Sequence, residues 1–306
     1  MAGSEAETAR SEGRGMLYGL VGVLLFSVTL PATRVAVAYL DPVFVGTARA
    51  LVAGACAAVL LLVTRQRLPT AGEVRALLVV IGGVVIGFPV LSAWAMRYTD
   101  ASHGAVVNGL LPLFTAVAGV LRAGDRPSWR FWAAALLGSA VVVGFALRQA
   151  NGALLPADLA MLGAVATGAF GYAEGGRLAR TMGSWQVICW ALVIAAPLMA
   201  IPAGYIAFTQ DLSAPPEAWL GFAYVSVISM WLGFFAWYRG LALGGVARVS
   251  QIQLLQPFFT MLAATLLIGE ELSPPALGVA LVVALIVALG RRAAVQRAGA
   301  PLTAAR

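Results

Sequence analysis

Apolar residues fall along this chain in runs of roughly twenty or more, separated by short polar turns. A run of that length matches a bilayer core about 30 Å thick, crossed by a helix rising 1.5 Å per residue. The pattern predicts ten membrane helices, near 16–39, 42–64, 74–98, 101–122, 129–147, 156–179, 185–208, 216–238, 246–268 and 274–291. The connections carry turn punctuation, as in Asp41-Pro42, Arg67-Leu68-Pro69, Gly124-Asp125-Arg126-Pro127, Ala214-Pro215-Pro216 and Ser273-Pro274-Pro275. None is long enough for a soluble domain. Residues 148–156, with Asn151-Gly152, form the longest plausible hinge between two halves. Residues 1–14 are polar and mixed in charge, so the first apolar run reads as a retained helix rather than a cleaved signal.

Composition agrees with this pattern. The 306 residues are 61% apolar and 11% charged, against about half and a quarter in a soluble domain. That balance excludes a soluble enzyme, a nucleic-acid binder and a disordered scaffold. The net charge of +7 comes from arginines scattered through short loops, so it points to no nucleic-acid partner. Cys56 and Cys189 sit inside apolar runs, where neither a disulfide framework nor a metal site is expected. Arginine does set orientation, because cytoplasmic loops retain positive charge. With the N-terminus inside, sixteen of the twenty arginines fall on the cytoplasmic side. The other face collects Asp41, Asp100, Asp158, Asp211, Glu217, Glu270 and Glu271. An even number of spans with both termini cytoplasmic follows.

The chain also repeats itself. Leu111-Pro112-Leu113-Phe114-Thr115 reappears as Gln256-Pro257-Phe258-Phe259-Thr260, an offset of 145 residues. At that offset Asn108 matches Gln253 and Gly124-Asp125 matches Gly269-Glu270, while Ala93-Trp94 resembles Ala236-Trp237 at an offset of 143. Five spans per copy is an odd number, so the second copy must enter the membrane from the opposite side. The expected fold is therefore an all-α integral membrane protein of ten transmembrane helices, built as two inverted five-helix repeats. Its parts are a cytoplasmic tail at 1–15, a first repeat at 16–148, a linker at 149–155, a second repeat at 156–291 and a cytoplasmic tail at 292–306.

A glycine-acid turn after a proline-bearing apolar helix, in two five-helix copies, resembles the EamA branch of the drug/metabolite transporter superfamily. The resemblance covers residues 16–291 and is clearest in Leu254-Leu255-Gln256-Pro257-Phe258-Phe259 through Gly269-Glu270-Glu271-Leu272-Ser273-Pro274. Gln256 stands where that family commonly shows an acid, and Arg49 resembles a family position. The resemblance implies a bacterial inner-membrane permease, often an exporter of amino acids or other small metabolites.

Site candidates follow from polar groups at membrane depth. Pro112 and Pro257 cannot bond the carbonyls of Asn108 and Gln253 and tend to kink their helices. Each copy thus places an amide beside a loosened carbonyl, which suits a cavity wall; helix packing is the plainer alternative. Ser250, Gln253 and Pro257 share one face of span nine, with Gln256 nearby, and that face is expected to look inward. Trp94, Tyr172, Trp231 and Phe234 lie deep enough for a substrate-facing wall, whereas Tyr98, Trp185, Trp219 and Tyr238 suit interfacial anchors. Arg49 and Arg34 have a structural role or hold an anion, Arg34 being near enough to the outer end to snorkel. Glu174 and His103 are the candidates for proton coupling, against a local Glu174–Arg177 ion pair and a solvated interfacial histidine.

The leading expectation is a secondary transporter that moves a small organic solute by alternating access at a central cavity between the repeats, outward in net direction by analogy with the family. A proton-coupled exporter of cationic drugs is the alternative, although residues 16–39 lack the first-span carboxylate of the small multidrug antiporters. An intramembrane enzyme is remote, because the inventory of acids, bases and nucleophiles is poor. No nucleotide-binding loop is present, and no cofactor is expected. The partners expected are the solute and the lipid bilayer; a homodimer is compatible and a monomer sufficient.

Overall fold

The structure, a computed structural model, describes residues 2–123, 126–127, 129–149, 155–291 and 295–296. Gly124-Asp125, most of the expected linker and most of the C-terminal tail lie outside the described residues. The chain runs as α1 (Ala2–Ser27), α2 (Thr29–Tyr39), α3 (Pro42–Val63), α4 (Ala71–Val80), α5 (Phe88–Tyr98), α6 (Ala101–Asn108), α7 (Leu111–Ala123) and α8 (Trp129–Gln149). It continues as α9 (Pro156–Met182), α10 (Ser184–Thr209), α11 (Pro216–Ala223), α12 (Gly233–Gly244), α13 (Val246–Val249), α14 (Gln256–Ile268) and α15 (Pro274–Arg291). The polar residues at the start belong to the first turns of α1 rather than to a separate tail. A two-residue antiparallel pairing joins Arg126–Pro127 to Val295–Gln296; the remaining regular structure among the described residues is helical.

Helix starts follow local chemistry. Asp41 caps α3 by accepting from the N–H groups of Val43 and Phe44 at 2.8 and 3.1 Å, with Pro42 at the first helical position. Thr70 and Glu73 form a reciprocal capping box on α4, and Arg67 pairs with Glu73 at 2.5 Å. That contact raises the guanidinium pKa of Arg67. Gly269 closes α14 in the left-handed region at φ 69°, where a side chain would be strained.

Seven helical stretches among the described residues are long and apolar enough to cross a membrane: Gly13–Tyr39, Pro42–Val63, Ala71–Tyr98, Ala101–Leu121, Ser184–Thr209, Pro216–Gly244 and Ser250–Ile268. Pro274–Ile286 is a shorter apolar helix, and α9 is long but carries Asp158, Glu174, Arg177 and Arg180. The outer surface is as apolar as the core, with Phe208 at 93% exposure and Leu62, Leu220 and Leu266 open beside it. A face like that belongs in lipid. The molecule is a multi-pass membrane protein.

Small residues bring backbones together inside. α1 packs on α12, where a Cβ on Gly15 would lie 2.5 Å from the Gly244 nitrogen. α9 packs on α5 and on the segment before it, where a Cβ on Gly83 would lie 2.5 Å from the Thr167 carbonyl oxygen. α3 packs on α10, α6 on α14 and α8 on α15. Such contacts drive helix association in lipid, where burial of apolar surface gives little. Embedded hydroxyls bond back to their own helices, as Ser27 to Val23, Thr115 to Leu111 and Ser226 to Phe222.

Five of these rods depart from α geometry. α1 and α2 are separated at Val28, just before Pro31. π-helical turns occupy Ile81–Gly87 and Tyr224–Leu232, starting 143 residues apart. In the ninth predicted span, Ser250–Leu255 is a 3₁₀-helix. Pro257 cannot donate to the Gln253 carbonyl, and the tightened turn lets the Gln256 N–H do so instead. The fourth span likewise breaks at Gly109–Leu110, immediately before Pro112.

Candidate functional site

Four of these departures from α geometry converge on one cavity. Its walls are Phe26, Thr29 and Leu30 around the α1–α2 break, Val84 and Phe88 at the first π turn, and Ser229, Met230 and Phe234 at the second. Gln256 enters from the end of the 3₁₀ segment, Arg49 from α3 and Tyr172 from α9. Irregular backbone at membrane depth is tolerated where it lines a cavity or is buried in protein, and π turns concentrate at functional positions. The cavity is about 20 Å³, room for one or two water molecules. A metabolite does not fit in this conformation.

Arg49 sits two turns into α3 and is 2% exposed. Its Nε and Nη1 are buried and find no hydrogen-bond partner among the described residues. No Asp or Glu lines the cavity. Gln256 is also buried, with Oε1 unpartnered. Thr29 and Ser229 share a hydrogen bond at 2.8 Å across the cavity, tying α2 to the second π turn. One wall is aromatic: Phe26 lies 5.0 Å from Phe234 and 6.3 Å from Tyr172 between ring centroids, and Trp237 sits 5.3 Å from Tyr172.

Of the residues singled out in the sequence, Arg49, Tyr172, Gln256 and Phe234 line this cavity, and Asn108, Pro112, Ser250, Gln253, Pro257, Trp94 and Trp231 do not. Asn108 and Gln253 are buried near the α6–α14 contact, where Pro257 approaches Gly109. Asn108 Oδ1 and both Gln253 side-chain polar atoms lack partners there. Trp94 stacks on Tyr98 at 4.9 Å, and Trp231 donates to Cys189 Sγ at 3.3 Å. Phe26, Thr29, Leu30, Val84, Ser229 and Met230 carried no signal in the sequence, being ordinary apolar or small hydroxyl residues of membrane helices.

Three expectations change. Tyr238 is not an interfacial anchor: it is fully buried, its ring tilted against Phe234 at 5.1 Å and its hydroxyl donating to the Gly171 carbonyl at 3.3 Å. The absent side chain of Gly175 makes room for its ring. His103 is not solvated, and Asp158 is not a free surface acid. They form a buried pair, Nε2 to Oδ1 at 2.6 Å, with Phe145 stacked on the imidazole. Glu174 is buried and paired with Arg177 at 2.5 Å.

Arg34 belongs to a second charged group. It contacts Asp100 at 2.5 Å and Glu270 at 3.2 Å, and donates to the carbonyls of Met96 and Thr99. Glu270 accepts from the N–H groups of Ala101 and Ser102 at 3.0 and 3.1 Å, and so caps α6 from far along the chain. This cluster ties α2 to the α5–α6 turn and to the residues that follow α14.

With the geometry described, the relatives can be placed. A model of the "EamA-like transporter family" matches residues 13–147 and again 155–290. The chain belongs to that family. An uncharacterized transporter of Bacillus subtilis, YdeK, is 48% identical over 282 residues, spanning 91% of this chain and 97% of the relative. A more distant relative from Streptantibioticus cattleyicolor is named a probable terminal-alkyne amino-acid exporter; it is 27% identical over 215 residues, 67% of this chain and 69% of its own. A solved crystal structure shares the fold at TM-score 0.67 and 20% identity, covering 92% of this chain and 98% of its own. The EamA family and these relatives are transporters, not enzymes.

Proposed function

We propose that this EamA transporter exports a small organic metabolite across the bacterial inner membrane by alternating access, with the substrate site at the Arg49 cavity. The observation that carries the reading is a buried guanidinium, without a partner among the described residues, on a cavity whose walls come from both family-model matches. In this reading the ten helices form two inverted five-helix repeats with both termini cytoplasmic. Two features support that layout: α1 meets α12 much as α9 meets α5, and the π turns start 143 residues apart, the offset of Ala93-Trp94 from Ala236-Trp237. The unpartnered amides of Asn108 and Gln253 belong to the route in other conformations, beside Pro112, Pro257 and Ser250. The solute is expected to be an amino acid or similar molecule, in keeping with the name of the distant exporter.

A metabolite and toxic-analogue export screen on cells overproducing the protein tests the function; absence of any exported solute refutes it. Single cysteines at Gln66 and Ser213, with Cys56 and Cys189 changed to Ala, test the layout. They are expected on opposite faces of the membrane, and labelling from one face refutes inversion.

Proton-coupled drug efflux is the second reading, favoured by the buried His103–Asp158 pair. Under it, His103→Gln or Glu174→Gln collapses flux driven by a pH gradient. Unchanged flux in both variants rejects it.

A further inference from the structure

We infer that Arg49 is the receptor for a carboxylate on the transported solute, and that the body of that solute is small and apolar. The inference rests on the transporter reading and names the chemistry of its substrate. A guanidinium held away from water and lipid headgroups needs an anion or a set of carbonyls around it. Arg49 has neither: Nε and Nη1 are both without acceptors among the described residues.

Seven acids among the described residues are committed elsewhere. Glu174 serves Arg177, Asp158 serves His103, Glu73 serves Arg67, and Glu270 with Asp100 serves Arg34. Asp41 caps its own helix, and Asp211 accepts from Ser213. Among the described residues, then, no acid of the chain meets Arg49. An anion that does so arrives with the solute.

The geometry of the site favours carboxylate. Unpartnered N–H groups on a buried guanidinium offer charge-assisted hydrogen bonds, which a carboxylate accepts strongly and a neutral amide only weakly. The facing wall is Phe26, Phe88, Met230 and Phe234, which offers an apolar body a surface and a sugar or a polyphosphate almost no donors. An α-amino group on the solute would find an unpartnered acceptor in Gln256 Oε1. It would find no carboxylate, so a cation without a carboxylate is repelled by Arg49 and held by nothing in return.

The test uses purified full-length protein, with thermal stabilisation as the binding readout and proteoliposome counterflow as the transport readout. The probes are L-leucine, 4-methylpentanoate, leucinamide, isoamylamine and inorganic phosphate. Leucine and 4-methylpentanoate are expected to bind and exchange, and leucinamide and isoamylamine to do neither. In Arg49→Gln the affinity for both carboxylates is expected to fall by about thirty-fold or more, the loss typical of removing one partner of a buried charged contact. Arg49→Lys, which keeps the charge without the fork, is expected to fall between wild type and Arg49→Gln. The comparison of leucine with leucinamide needs no variant, so misfolding of Arg49→Gln does not spoil it. Equal binding of the two by wild-type protein overturns the inference, as does failure of every carboxylate to bind. A folded Arg49→Gln that keeps full carboxylate affinity also overturns it. Preference for phosphate or for isoamylamine overturns the carboxylate assignment and leaves the transporter reading standing, whereas a wild-type protein that moves no solute in the export screen fails the reading itself.

Discussion

Glu270→Ala should loosen one end of the bundle by an amount that can be worked out contact by contact. The carboxylate caps α6 through Ala101 and Ser102 N–H and also accepts from the Ser102 hydroxyl at 2.9 Å. Asp100 occupies the N-cap position of α6 without a side-chain capping bond, so nothing local replaces Glu270. Loss of such a cap costs about 0.5–2 kcal/mol. The contact with Arg34 is part-exposed, at 32% for the arginine and 13% for the glutamate, which limits it to about 1 kcal/mol. Together these give roughly 1.5–3 kcal/mol. Glu270→Gln keeps one acceptor oxygen and should lose about half of that.

Two measurements check the estimate. In detergent, the thermal midpoint of Glu270→Ala should fall by several degrees, at about 2–4 °C per kcal/mol for a chain of a few hundred residues. Opening can be read separately from a cysteine placed at Thr33, which is fully buried one turn from the cavity residue Thr29 on the side of Arg34. If the contacts of Glu270 exist only in a closed conformation, their loss raises the labelling rate at position 33 by roughly 12- to 150-fold. Arg34→Ala in the Glu270→Ala background should then add less than it does alone, because the two share a contact. A labelling rate within twofold of wild type, with an unchanged midpoint, would refute the closing role of Glu270.

Other outcomes follow from the same coordinates. Gly83→Ala and Gly15→Ala should each destabilise by about 1–3 kcal/mol in thermal unfolding, because the new Cβ meets backbone atoms at 2.5 Å that cannot swing away. Gly204→Ala meets nothing within 4 Å and should be neutral or stabilising by up to about 1 kcal/mol. Asp158→Ala should lower stability by about 3–5 kcal/mol, since it strands the partner of a buried pair, and the loss should exceed that of Arg67→Ala, which breaks an exposed pair. Tyr238→Phe should lose only about 0.5–1.5 kcal/mol, its hydroxyl making one long bond while its ring keeps the aromatic cluster.

What the sequence made legible divides along a physical line. Helix ends that depend on nearest neighbours were readable: Asp41-Pro42 opens α3 where the turn signal stands, and the two prolines mark the interruptions before Leu111 and Gln256. Glycines stand four apart at Gly15/Gly19 and Gly83/Gly87, and backbones meet at Gly15 and Gly83. The π turns were not readable, because no residue type demands an extra residue per turn; neighbouring helices settle it. The buried His103–Asp158 pair was equally hidden, since its members are 55 residues apart and each alone resembles an interfacial polar residue. Facing direction was the main loss. A polar stripe says that a helix face avoids lipid, but not whether it meets a cavity or another helix, and that is the distinction between Gln256 and Gln253.

The repeat also steers a sequence reader toward what both copies hold in common. Asn108 and Gln253 stand at matched positions, and so do the π turns, which locates the scaffold of the duplication rather than its chemistry. A solute is not symmetric, and a site that binds it in one pose has reason to break the symmetry. Arg49 does so. The helix starting after Asp41 carries a buried cation eight residues beyond its cap, while the corresponding stretch of α10 beyond Gly183 holds Ala191 and Leu192, both fully buried and apolar. One arginine on one helix gives the cavity a polar end and an apolar end. It therefore orients a carboxylate solute, which two matched amides would hold in either sense. Exchange of the two roles, Arg49→Leu with Leu192→Arg, should accordingly leave the scaffold assembled in detergent while abolishing uptake of label in counterflow, because the aromatic wall of Phe26, Tyr172 and Phe234 would no longer face the charge.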